Sequence, residues 1–110
     1  MTGASEHQRL VQVLRHAALE APALTEPRLR RGAAERATGG PAIDAPYDAL
    51  AKQIGEAAYR VTDAQVAEAL KAAGSEKAAF EIIAAAAVGA GLQRWELGTK
   101  ALLEAIDATA

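Results

Sequence analysis

The stretch TDAQVAEALKAAGS, from Thr62 to Ser75, carries the start and stop signals of one helix and the start signal of the next. Thr62 and Gln65 have the spacing of a capping box, in which two side chains satisfy free backbone N–H groups at a helix N-terminus. Gly74 suits the left-handed residue that ends many helices, and Ser75 suits the cap of a following helix. Two helices joined this closely leave no room for a strand, so this region is predicted to be helical.

The remainder of the chain shows the same helical pattern. The clearest loop, TGGPAIDAP, covers residues 38–46 and separates segments with apolar residues at helical spacing. Hydrophobic residues make up 51% of the chain but aromatic residues only 4%, so closely approaching helices must build the core. We therefore predict an all-α fold of about six helices in one compact domain, with an N-terminal helical arm over residues 1–40 and a helical core over residues 41–110.

Start and stop signals divide the chain into these six helices. The first is predicted from about Glu6 to Glu20, and Thr25 and Asp44 are predicted to cap the second and third. Glycine in a helix costs about 1 kcal/mol relative to alanine, so Gly89 and Gly91 predict a kink or break between the fifth and sixth helices. The sixth helix is predicted over LQRWELGTKALLEAI.

Composition excludes several classes of function. The net charge of -2 argues against a general binder of nucleic acids or anionic membranes, which attract positive surfaces. The absence of cysteine removes disulfides, thiolate nucleophiles and thiolate metal sites. No phosphate loop, dinucleotide fingerprint or zinc spacing is present, so we expect no metal and no cofactor. The first ten residues lack the apolar core of a signal peptide, and we expect a cytoplasmic protein.

Two further groups of polar residues have ordinary explanations. His7 and His16 are nine residues apart, which is not the spacing of a metal-binding pair on a helix, so solvated or structural roles are favoured. Arg28, Arg31 and Glu35 fall near one face of the second helix. These arginines suit either an anionic ligand or ion pairs with neighbouring carboxylates, and the second interpretation is favoured because charge runs usually maintain solubility.

The segment AAYRVTDAQVAEALKAAGSEKAAFEIIAAAAVGAGLQR resembles the alkylhydroperoxidase AhpD-like and carboxymuconolactone decarboxylase-like family. The resemblance lies in a helix start, an AAG turn, an S-x-x-x-x-F-E-I segment and a helix of small residues that ends in arginine. It covers about two thirds of the chain. The resemblance implies an AhpD-like helical bundle that assembles as a dimer, trimer or hexamer.

The positions that carry chemistry in that family hold other residues here. Its peroxidase-like members place a C-x-x-C pair and a histidine at a helix start, where the N-terminus stabilises a thiolate. Counting back from Gly74 puts these positions at Tyr59, Thr62 and Val66, with the assisting glutamate near Tyr47. The decarboxylase-like members also carry the histidine. The resemblance therefore implies a cysteine-less, non-redox relative that is not a thiol peroxidase.

Two functions follow from these observations. The favoured one is a non-catalytic, oligomeric structural or interaction module, formed with copies of itself or with a cysteine-bearing relative. Its predicted interface residues are Phe80, Ile83, Ala84, Ala87, Gly91 and Trp95. The alternative is an enzyme or a binder of small carboxylates or lactones. Its remodelled pocket is predicted at Tyr47, Tyr59, Arg60, Thr62, Val66 and Arg94. A weaker third hypothesis gives the basic N-terminal arm an acidic protein partner.

Overall fold

The computed structural model describes residues 2–109, and within them it contains five α-helices and no strand. The all-α prediction is confirmed. A π-helical turn, His16–Glu20, continues the first helix, and a 3-10 turn, Ala58–Arg60, follows the third. The α-helices are α1 Thr2–Arg15, α2 Pro27–Ala37, α3 Tyr47–Ala57, α4 Asp63–Ala73 and α5 Glu76–Thr109.

Helix α5 is one uninterrupted helix of 34 residues, where the sequence predicts two. The predicted break at Gly89 and Gly91 is wrong. A Cβ atom on Gly89 would lie 2.6 Å from the carbonyl oxygen of Ala34 in α2, so glycine allows the two helices to approach closely. We attribute the continuity of α5 to this packing, which compensates the cost of about 1 kcal/mol that an interior glycine brings.

The signals around α4 are confirmed. The Thr62 hydroxyl accepts a hydrogen bond from the Gln65 backbone N–H at 3.1 Å, and the Gln65 side chain accepts one from the Thr62 N–H at 3.0 Å. Gly74 ends α4 with a positive φ of 87°. The Ser75 hydroxyl oxygen accepts a hydrogen bond from the Ala78 N–H at 3.1 Å and caps α5.

Two other predicted caps are wrong. Helix α2 begins two residues after Thr25 without a side-chain cap, and the Thr25 hydroxyl donates instead to Glu81 at 2.7 Å. Helix α3 begins at Tyr47, three residues after Asp44. At that start the carbonyl oxygen of Asp44, rather than its side chain, accepts a hydrogen bond from the Asp48 N–H at 3.1 Å.

Helix α2 lies at the centre of the core, although the predicted boundary at residue 40 assigns it to the N-terminal arm. Its residues Ala33, Ala34 and Ala37 are buried between α3 and α5. The approach to α3 is the closest, because a Cβ atom on Gly55 would lie 1.8 Å from the carbonyl oxygen of Ala37. The largest cluster of buried residues contains Ala33, Ala37, Leu50, Ala51, Ile54, Ala69, Ile82, Ala86 and Ala90.

The C-terminal half of α5 extends past this core. A helix of 34 residues is about 51 Å long, which accounts for the longest dimension of the molecule, 53 Å. Every residue from 93 to 109 is exposed, and we call this segment the α5 extension. None of the described helices is long and apolar enough to cross a membrane.

Gly55→Ala is expected to destabilise the protein by about 3 kcal/mol, because the added methyl group would overlap the Ala37 carbonyl and force α2 and α3 apart. Gly32→Ala, in the middle of α2, is the matched control. Its Cβ would meet only a methyl group of the Ile43 side chain, at 3.1 Å, and a small shift of that side chain makes room, so this variant should lose much less stability. Urea unfolding of both variants measures the difference, and equal free energies of unfolding would contradict the close approach.

Candidate functional site

The junction between α3 and α4 places its polar side chains on the surface. Tyr59 is 84% exposed, and the Arg60 guanidinium carbon lies 5.7 Å from the centre of its ring. Thr62, the N-cap of α4, and Val66, on its first turn, are also exposed. Four of the six predicted pocket residues therefore lie close together along the chain, on the surface and at an ordinary helix cap.

The other two predicted pocket residues lie elsewhere. Tyr47 is at the opposite end of α3 from Tyr59, where it lines a cavity of ≈ 640 Å³ together with Arg28 and Leu29 of α2. Arg94 reaches from α5 to the last turn of α3 and donates a hydrogen bond to the Gly55 carbonyl at 2.5 Å. A basic side chain in this position satisfies one of the carbonyls that a helix C-terminus leaves free.

The predicted interface residues share the outward side of α5. Phe80 is 66% exposed, Trp95 is 52% exposed, and Ala87 and Gly91 are exposed as well. Ile83 and Ala84 are half-buried at the edges of this side. The structure places all six residues on one side of one helix, opposite the side that packs on α2.

A second cavity, of ≈ 520 Å³, lies between the π-helical turn, α2 and α5. Its floor is apolar, and two ion pairs border it: Arg31 Nη1 lies 2.7 Å from Glu20 Oε1, and Arg15 Nη2 lies 3.5 Å from Glu96 Oε1. His16 also lines the cavity and is exposed. The contact between Arg31 and Glu20 agrees with the interpretation of the arginine run as ion pairs.

Arg30 has a structural role that the sequence analysis did not single out. Its side chain is only 1% exposed, and its guanidinium donates to the carbonyl oxygens of Ala18 at 3.1 Å, Ala21 at 2.5 Å and Thr25 at 3.4 Å. These three carbonyls belong to the connection between α1 and α2. One signal was available, because Arg30 stands at helical spacing from Ala33, Ala34 and Ala37 and so lies on the buried face of α2.

Glu81 of α5 also holds the connection between α1 and α2 in place. Its carboxylate accepts hydrogen bonds from the Leu24 N–H at 3.1 Å and from the Thr25 N–H and hydroxyl at 2.8 and 2.7 Å. Burial raises the pKa of Glu81, but these hydrogen bonds and the nearby charge of Arg30 outweigh that effect and hold the pKa below its usual value. Arg30 and Glu81 thus bind the same loop through its carbonyl and N–H groups respectively, and we call them the loop clamp.

The side chains described here show no arrangement for a metal. Among them, no group of three or more histidine, aspartate or glutamate side chains converges. Comparison with protein families, with curated proteins and with solved structures found no match to this chain.

Arg30→Met is expected to destabilise the protein by about 3 kcal/mol, because it leaves two partly buried carbonyl oxygens of the connection, those of Ala18 and Ala21, without their donor. Arg31→Met is the matched control, since the adjacent arginine makes an exposed ion pair worth at most about 1 kcal/mol. Thermal and urea unfolding of the two variants give the comparison. Equal destabilisation would show that Arg30 does not clamp the connection.

Proposed function

We propose that this protein is a homo-oligomeric helical interaction module, AhpD-like in scaffold and without redox chemistry. The absence of cysteine removes any thiol relay. The place of the thiols is taken by Tyr59, which is exposed, and by Thr62, whose hydroxyl caps α4. A cysteine-bearing relative as an additional subunit is a variant of the same proposal.

The observation that carries this proposal is the apolar surface of α5 between Ala78 and Leu92. Glu81 is the only charged residue in this stretch, and the loop clamp uses it. One side of the stretch is buried against α2, yet the other side exposes Phe80 and Ala87. Helices that are apolar all round are normally buried all round, because exposed apolar area is unfavourable in water. A protein partner on the outward side supplies the missing burial.

Ala87→Glu is expected to convert an oligomer into the monomer of 11.4 kDa, because it places a carboxylate in the middle of the outward side of α5. Ala67→Glu is the matched control, since this alanine is also exposed in a helix but lies on α4. Light scattering after gel filtration and sedimentation velocity measure the mass. A wild-type protein that stays monomeric at every accessible concentration would overturn the proposal.

A second candidate function is the binding of small carboxylates or lactones around Tyr59 and Arg60. It is favoured by the contact of these two side chains, which places a cation beside a phenol at an exposed helix junction. A guanidinium and a hydroxyl are donors that suit a carboxylate oxygen.

The binding candidate predicts that millimolar carboxylates or lactones raise the melting temperature of the wild-type protein. Tyr59→Phe should weaken this response, because it removes the phenol donor while keeping the ring. Tyr47→Phe is the control, since Tyr47 lies at the other end of α3. An unchanged melting temperature with every compound, or equal responses from both variants, would remove this candidate.

A further inference from the structure

The outward side of α5 keeps a regular pattern well beyond the core. Residues on this strip follow one another at alternating steps of four and three, which is the spacing of a coiled-coil seam. Small and larger side chains alternate along it, so that small residues recur every seven residues and larger residues do the same. In chain order the strip reads Ala84, Val88, Gly91, Trp95, Gly98, Leu102 and Ala105. From Gly91 onward every member is exposed.

Packing within one chain does not explain the glycines of this strip. Gly89 is required by the contact with Ala34, but a Cβ atom on Gly91 or Gly98 would meet nothing within 4 Å. Each of these two glycines costs α5 about 1 kcal/mol relative to alanine. A second molecule packed closely against α5 would explain why glycine stands at both positions, just as the contact with Ala34 explains Gly89.

We propose that two copies of this chain pair through α5 in antiparallel orientation, with the two-fold axis passing near Gln93. The inference rests on the proposed homo-oligomer and assigns its partner, surface and register. The α5 extension of each copy lies along the outward side of the other copy's α5, beside its core. The contact is isologous, so each residue pair occurs twice.

The register follows from side-chain size. About a centre at residue 93, Gly91 meets the partner's Trp95, and Ala84 meets the partner's Leu102. Val88 meets the partner's Gly98, so each of these three pairs joins a small residue to a larger one, and Ala105 lies beyond them. A parallel pairing in register would instead place tryptophan against tryptophan and glycine against glycine. In the antiparallel register, each glycine or alanine of these pairs faces one larger side chain of the partner. The space over the small residue is then filled, as normal packing density requires.

The exposed area approaches what a stable dimer buries. Four large side chains on or beside the strip, those of Phe80, Trp95, Leu102 and Ile106, are between 52% and 66% exposed. With ~200 Å² for a fully exposed large side chain, they present on the order of 450 Å² per copy. The glycines and alanines between them bring the surface towards the ~800 Å² per partner of a standard interface.

Charge favours a second copy over an anionic lipid surface. Four charged residues of the α5 extension lie on its other side, at Glu96, Lys100, Glu104 and Asp107. The remaining one, Arg94, is held by its hydrogen bond to the Gly55 carbonyl. Lys100 Nζ lies 3.9 Å from Glu104 Oε1, so its charge already has a partner. Amphipathic helices that bind anionic membranes carry lysines and arginines on this polar side, whereas this one carries three carboxylates and one lysine. In the antiparallel dimer these charges stay in water.

Leu102→Glu and Leu97→Glu test the surface. Both leucines are 61% exposed and lie five residues apart on the α5 extension, but only Leu102 belongs to the strip. Leu102→Glu should give a monomer by sedimentation velocity, with at least a hundredfold weaker dimerisation, and Leu97→Glu should remain a dimer. Circular dichroism confirms that both variants keep their helices. Loss of the dimer in both variants, or in neither, would overturn the proposed surface.

Cysteine cross-linking tests the orientation, and the cysteine-free sequence gives a clean background. Residues 84 and 102 are about 27 Å apart on one helix, too far for a disulfide within a chain. Ala84→Cys and Leu102→Cys should therefore form a disulfide only when the two variants are mixed and exchanged.

The outcomes separate the two proposals. A disulfide in the mixture alone supports the antiparallel register, whereas disulfides within each single variant indicate a parallel pair and overturn it. A wild-type dimer that forms no disulfide in any combination uses another surface, so this inference fails while the proposed oligomer stands. A wild-type monomer overturns both.

Discussion

The close approach of three helix backbones around α2 is the constraint on which the rest of the structure depends. Ala37 contacts Gly55 of α3, and Ala34 contacts Gly89 of α5, with no room for a Cβ atom on either glycine. A core made mainly of alanine buries little apolar area per residue, so it needs short distances between helices to reach normal packing density. The glycines provide these distances, and they fix where α3 and α5 cross α2.

The loop clamp determines which sides of α5 remain open. Arg30 and Glu81 hold the connection between α1 and α2 against α5, so that α1 turns back along that helix. His7 of α1 then lies beside Trp95, with ring centres 5.8 Å apart. Helices α2, α3 and α4 cover other parts of α5, whereas Cβ positions on Gly91 and Gly98 of the strip have no neighbour of their own chain within 4 Å. The open surface is therefore a result of the same contacts that stabilise the core.

The polar side chains of the junction between α3 and α4, residues 59–62, lie on the surface and line neither cavity. Its threonine is used by the backbone of α4, and its tyrosine and arginine project into solvent. A reactive group needs neighbours that shift its pKa or hold a substrate, and these usually lie in a cleft. The cavities near Tyr47 and His16 are lined by other residues than this junction. Apolar exposure on α5 is the stronger signal of function in this chain.

Much of the local structure could be predicted from the sequence. The cap at Thr62 and the stop at Gly74 are correct because they depend on groups within a few residues along the chain. Thr25 has the same kind of signal, but Glu81 competes for its hydroxyl from 56 residues away. Capping patterns are therefore dependable only where no distant charged group competes.

The sequence by itself determined that this protein is helical, that its helices pack through small residues and that thiol chemistry is absent. Only the tertiary structure decided that Gly89 lies inside a continuous helix and that Arg30 is buried, because both depend on backbone atoms brought close by folding. It also decided that Gly91 and Gly98 face open space. Spacing along a chain gives the face of a helix on which a residue lies, whereas the neighbours of that face are set by how all the helices pack.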